Sequence, residues 1–253
     1  MQLKKHIPNF ITLLNLFCGC IATMLAVHDS LALAALFVAL GIGFDFLDGF
    51  AARILKVQSE LGLQLDSLAD LVTSGLVPGI VMFQLLGKAF VSPSNTLFNA
   101  WDSNQTFGDS FWTYLTFLGL LITLASAYRL AKFNIDTRQT TSFIGLPTPA
   151  NALLILSLPL ILEFQNEEWI QNIILNPLFL IGLILVSCYM LNAEIRLFAL
   201  KFKTWGFAEN KVRYIFLMLA VILLVLLQFV AIPCVILLYV LMSVIFKKKS
   251  ASD

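Results

Sequence analysis

Charge is scarce in this sequence. Asp, Glu, Lys and Arg together make up 12% of its residues, whereas an ordinary soluble domain carries about one quarter. That deficit excludes a soluble globular fold. The net charge is +1 and no basic stripe lies on a soluble face, which excludes nucleic acid as a partner. The only histidines, His6 and His28, stand alone near segment ends and are assigned solvated or interfacial places rather than metal ligation. Cys18, Cys20, Cys188 and Cys234 all lie in apolar runs, so there is neither a disulfide framework nor a zinc spacing. The first apolar run has no clear cleavage site and is followed by more apolar sequence, so no cleavable signal peptide is expected.

What is present is apolar: 59% of residues are hydrophobic and the mean hydropathy is +0.90. These values predict an all-α, polytopic membrane helix bundle of about eight transmembrane helices, forming one integral membrane domain. A polar lead with Lys4 and Lys5 precedes a first span from about Phe10 to Val27, with Pro8 at an early helix position. Further spans are predicted at about Leu31–Leu55, Leu63–Leu86, Thr113–Lys132, Pro147–Leu162 and Ile173–Leu191. The run Tyr214–Phe246 exceeds the roughly 20 residues of one span and is predicted to divide near Gln228–Pro233 into two helices, the alternative being one tilted helix plus a re-entrant piece. The catalytic core is then about 1–191, with two extra helices at about 214–246. Gly87–Ser110, rich in aromatics, reads as an interfacial loop or short amphipathic helix. Asn192–Arg213 reads as a basic juxtamembrane anchor.

With the N-terminus inside, Lys4, Lys5, Arg53, Lys56, Arg129, Lys132, Arg138, the Arg196–Arg213 segment and Lys247–Lys249 all face one side, and only Lys88 faces the other. By the positive-inside rule that side is the cytoplasm, which holds both termini.

Against this background, four carboxylates between Asp45 and Asp70 need a reason. Asp45 and Asp48 are three residues apart, and Asp66 and Asp70 four apart, so each pair shares a helix face. An ionised carboxylate near hydrocarbon is expensive unless paired or metal-bound, which makes the group a functional-site hypothesis. Oxygen ligands without Cys or His favour hard cations, Mg²⁺ or Mn²⁺. Gly49 and Gly62 open space where a ligand must come close, at about 1 kcal/mol of helix propensity each. Arg53 adds a fixed cation suited to phosphate. Together they suggest a metal-bound diphosphate at a hairpin of the second and third spans, on the cytoplasmic face.

The pattern D-x2-D-G-x2-A-R-x8-G-x3-D-x3-D, met at every fixed position from Asp45 to Asp70, resembles that of the CDP-alcohol phosphotransferases, integral membrane enzymes of phospholipid synthesis. The segments IPNFITLLNLFCG (Ile7 to Gly19), DSLADLVTSGLVP (Asp66 to Pro78), RLAKFN (Arg129 to Asn134) and GLPTPANA (Gly145 to Ala152) look like the phosphatidylserine synthases within that family. The resemblance implies transfer of a phosphatidyl group from CDP-diacylglycerol to the hydroxyl of L-serine, releasing CMP, in a bacterial-type inner membrane. It implies two divalent ions held by Asp45, Asp48, Asp66 and Asp70, with Asp70 also the general base. It implies CDP contacts from Asn9, Thr12, Gly49, Ala52, Arg53, Ser59 and Gly62, and a homodimer.

For the acceptor, the sequence offers Arg129, Lys132 and Asn134. Either a cation there binds the serine carboxylate, or both cations snorkel to head groups. Three competing readings remain: another acceptor (glycerol 3-phosphate, inositol or its phosphate, choline), a cation-coupled transporter, and aspartates that only cap helices or pair with Arg53 and Lys56.

Overall fold

A computed structural model describes residues 3–91, 114–136, 143–165, 167–197 and 206–247. The bundle is helical, as the composition predicts. Its helices are α1 (Leu3–Val27), α2 (Leu31–Leu55), α3 (Glu60–Asp70), α4 (Val77–Val91), α5 (Leu121–Ile135), α6 (Thr148–Phe164), α7 (Glu168–Ile174), α8 (Pro177–Asn192), α9 (Phe207–Leu227) and α10 (Ala231–Lys247). Among the described residues five stretches are long and apolar enough to cross a membrane, or six if one bent pair counts as a span.

The first two helices pack closely along their length because small residues line the seam. Ala22 and Ala26 of α1 meet a face of α2 built from Ala34, Ala35 and Val38, all buried. Where lipid supplies no hydrophobic drive between helices, such close backbone approach replaces it. The far end of this pair is tied down by α4. Gln84 Nε2 donates to the carbonyls of Ala26 and Val27 at 3.1 and 2.8 Å, and Lys88 Nζ lies 2.9 Å from Asp29 Oδ1. Helix-end carbonyls that water cannot reach are thus satisfied.

Several boundaries differ from the sequence reading. Helix α1 starts at Leu3, so Pro8 sits inside it rather than before the span. The third span is one run from α3 through a π-helical stretch, Leu71–Leu76, into α4. It continues past Gly87, where a polar interruption was expected; the rest of that expected loop lies outside the described residues. The sixth span is broken: Pro177 cannot donate the hydrogen bond that would carry α7 into α8, and the two helices meet at 58°. Asn176 caps the second, accepting from Leu178 N at 2.9 Å. Helix α6, with 17 residues, is shorter than a full span. Of the expected basic segment, residues 198–205 lie outside the described residues, and its end, from Phe207, forms the start of α9. A two-residue antiparallel ladder, Phe143–Ile144 with Arg196–Leu197, interrupts the all-helical expectation.

The C-terminal division is found where it was predicted. Phe216 and Tyr239 would be roughly 35 Å apart along one straight helix, yet their ring centroids are 5.8 Å apart. The chain folds back at Gln228, whose φ of 50° breaks the helix. Gln165 holds that turn, donating to Leu227 O and accepting from Val230 N, both at 3.0 Å.

Candidate active site

The aspartate hairpin is built by two caps. Helix α2 stops at Lys56, which takes a left-handed conformation (φ 54°, ψ 44°) and returns its N–H to the carbonyls of Ala52 and Arg53. Ser59 then starts α3 as its N-cap, accepting from Gly62 N at 3.1 Å. The reversal returns Asp66 to Asp45 and Asp48. One carboxylate oxygen from each of the three lies within 4.8 Å of the others.

Asp70 stands one helical turn beyond Asp66 and outside that trio. It is buried against α1, where Asn15 Nδ2 donates to its Oδ1 at 3.3 Å. Asp48 is also buried, and Thr12 Oγ1 lies 2.5 Å from its Oδ2 and 3.1 Å from Pro8 O. Thr12, expected as a nucleotide contact, therefore orients a carboxylate as well as lining the cleft described below.

Among the described residues, the ion pairs formed are Lys88 with Asp29 and Lys132 with Glu194; none reaches the four aspartates. Arg53 Nε donates instead to Gly49 O at 2.9 Å, on an exposed surface. The helix cap is Ser59, not an aspartate. The reading of these carboxylates as caps or as partners of Arg53 and Lys56 therefore fails. Among the described residues the buried cation near them is Arg129, whose charge bears on Asp70. Four carboxylates against one arginine leave an excess of negative charge that a low-dielectric interior does not tolerate. Asp66 Oδ1 is buried without a hydrogen-bond partner. An orphaned oxygen inside an all-oxygen trio fits a hard divalent cation.

A cleft of about 840 Å³ opens beside the trio, within the range of small-molecule sites. All seven expected nucleotide contacts, Asn9, Thr12, Gly49, Ala52, Arg53, Ser59 and Gly62, line it, together with Asp48 and Asp66. A side chain on Gly62 would come within 3.2 Å of Asn9 Oδ1 and Ser59 Oγ. At Gly49 nothing but Arg53 Nη2, at 4.0 Å, would meet one. Packing therefore does not require glycine at 49.

The three expected acceptor residues part company. Arg129 and Lys132 line a separate cavity of about 10 Å³ with Asn192 and Ala193, room for about one water. Arg129 is 7% exposed and its Nε has no partner. Lys132 reaches Glu194 at 3.7 Å. Asn134 does not join them: it exchanges hydrogen bonds with Ser67 at 2.9 and 3.1 Å, tying α5 to α3. Sequence reasoning missed Asn15, Thr73 and Asn192. The first two lie inside segments already singled out for their resemblance, but only packing shows that they reach Asp70 and each other.

A family model described as CDP-alcohol phosphatidyltransferase matches residues 5–185, which ends before the α9–α10 hairpin. A CDP-diacylglycerol–serine O-phosphatidyltransferase of Bacillus subtilis is 33% identical over 149 residues, covering 57% of this chain and 70% of that protein. One of the same name from Methanocaldococcus jannaschii is 32% identical over 181 residues, covering 72% and 71%. One from Helicobacter pylori is 27% identical over 184 residues, covering 71% and 69%. With more than half of its length matched by the family model, the chain belongs to the CDP-alcohol phosphatidyltransferase family of enzymes.

Proposed function

We propose that this enzyme transfers the phosphatidyl group of CDP-diacylglycerol to the hydroxyl of L-serine, at the cytoplasmic face of an inner membrane. The observation that carries the reading is that Asp48 and Asp66 of the Asp45–Asp48–Asp66 trio line a cleft that also takes in all seven residues expected to contact CDP. The names of the relatives support serine as acceptor. The one-sided distribution of Lys and Arg supports the orientation. Family membership replaces the transporter reading.

In the reaction, the serine oxygen forms a bond to the lipid-side phosphorus, the bond from that phosphorus to the bridging oxygen breaks, and CMP departs with the electron pair. Asp45, Asp48 and Asp66 would hold divalent cations, Mg²⁺ or Mn²⁺, which supply charge neutralisation to the diphosphate. Arg53 and the open backbone at Gly49 receive the nucleotide phosphates. Asp70 takes the serine hydroxyl proton, since a neutral hydroxyl is a weak nucleophile without a base in hydrogen-bond reach. Arg129, buried and unpartnered at Nε, is the cation for the serine carboxylate, and the cavity of about 10 Å³ beside it would have to widen to admit that group.

The test is CMP release from CDP-diacylglycerol by the purified chain, with serine, glycerol 3-phosphate, inositol and choline offered in turn. Serine alone should support release. Release with a different alcohol would move the acceptor, and none with any would remove the activity.

A further inference from the structure

Asn15 lies outside the aspartate motif, yet it is fully buried and from α1 meets the buried carboxyl of Asp70. A buried amide must find partners for both ends, and it does. Its Nδ2 donates to Asp70 Oδ1 at 3.3 Å, and its Oδ1 lies 2.9 Å from Thr73 Oγ1. The Thr73 hydroxyl has one proton and two other acceptors in range, Ala69 O at 2.9 Å and Asn15 O at 3.3 Å. Donation to Ala69 O is the usual habit of a helical threonine. Here it would leave two oxygens with facing lone pairs at 2.9 Å. Turning the amide around would instead aim its oxygen at a carboxylate. The order Thr73 to Asn15 to Asp70 is the one free of both repulsions.

The surroundings make room for this chain of bonds. A Cβ on Gly19 would sit 2.6 Å from Thr73 Oγ1, and one on Gly41 would sit 2.8 Å from Asn15 Oδ1 and 2.7 Å from Thr73 Cγ2. Glycines on α1 and α2 thus let three helices close on two polar side chains. Thr73 also falls in the π-helical stretch that begins directly after Asp70, and such widened turns recur at functional sites.

We propose that Asn15 and Thr73 are positioning residues for the transfer reaction, a relay that occupies Asp70 Oδ1 and leaves Oδ2 to take the acceptor proton. The proposal rests on the reading of Asp70 as general base. Three variants and a control separate the two ideas: Thr73→Val deletes the hydroxyl at nearly constant shape, Thr73→Ser keeps it, Asn15→Ala removes the amide, and Asp70→Asn removes the base. Full-length enzyme in detergent is assayed for kcat and for KM of CDP-diacylglycerol, with thermal midpoints measured in parallel. Thr73→Val and Asn15→Ala should lower kcat about 10- to 100-fold, with KM for CDP-diacylglycerol unchanged, and Thr73→Ser should recover most of the loss. Should Asn15→Ala fail to fold, the Val and Ser pair at 73 still decides. Parental kcat in Thr73→Val beside an inactive Asp70→Asn overturns the relay and leaves the base in place. An active Asp70→Asn overturns the base. Loss of turnover that serine does not recover, together with a lowered midpoint, assigns the pair to packing and overturns the relay as well.

Discussion

Gly49→Ala should make this protein more stable and less active, and the structure sets both magnitudes. In a helix interior, alanine is favoured over glycine by about 0.5–1 kcal/mol. At position 49 the added methyl meets only Arg53 Nη2 at 4.0 Å, so no clash subtracts from that gain. For a chain of this size the midpoint should rise by roughly 1–4 °C. Gly43, also on α2, is the matched control: nothing lies within 4 Å of its would-be Cβ, and it is absent from the cleft lining. Gly43→Ala should give the same stabilisation with unchanged turnover. At Gly49 the methyl instead occupies the wall that a diphosphate must touch, and displacing a reacting group by about 1 Å can lower the rate on the order of 100-fold. Thermal unfolding of the solubilised protein and kcat/KM for CDP-diacylglycerol are the two measurements. Parental kcat/KM in a stabilised Gly49→Ala would refute the placement of the nucleotide against this wall.

Other outcomes follow from the same geometry. Added Mg²⁺ or Mn²⁺ should raise the thermal midpoint, by about 2.7 kcal/mol of stability at a hundredfold excess over Kd, and Asp45→Asn or Asp66→Asn should abolish the shift; a midpoint indifferent to both ions would remove the trio as a cation site. Arg129→Gln should raise KM for serine by about 10- to 100-fold, the worth of a charge-assisted hydrogen bond of about 1.5–3 kcal/mol, and leave KM for CDP-diacylglycerol alone. An unchanged serine KM would return Arg129 to a role confined to Asp70. Lys88 and Asp29, partly exposed at the opposite end, should show a coupling of at most about 1 kcal/mol in a double-mutant cycle of thermal stability, with kcat untouched.

How far the sequence could be read depended on the range of the interactions. Helix periodicity is local, so the spacing already placed Asp45 with Asp48, and Asp66 with Asp70, on shared faces; Gly49, Ala52, Arg53 and Gly62 of the cleft came with the same motif, and Asn9, Thr12 and Ser59 with the wider family resemblance. Asn134 shows the limit. Its neighbour Arg129 reaches the interior, but Asn134 turns to Ser67, 67 residues away, a choice made by how α3 and α5 pack. The sixth span was expected to run unbroken through Pro177; the 58° bend found there goes with Asn176 capping the second helix.

The amino-acid sequence by itself determined that this chain lies in a membrane, that it is helical, that carboxylates gather at one helix reversal, and that its last apolar run is too long for one span. Each of these follows from transfer energies or from contacts within a few turns of helix. Tertiary structure alone decided which carboxylate joins the trio and which one is held apart. Asp66 and Asp70 differ by one turn of the same helix, and what separates them is the buried face of α1 that Asp70 meets, with Asn15 55 residues distant in the chain. Bonds across that separation depend on the close approach of three helices, which no local pattern encodes.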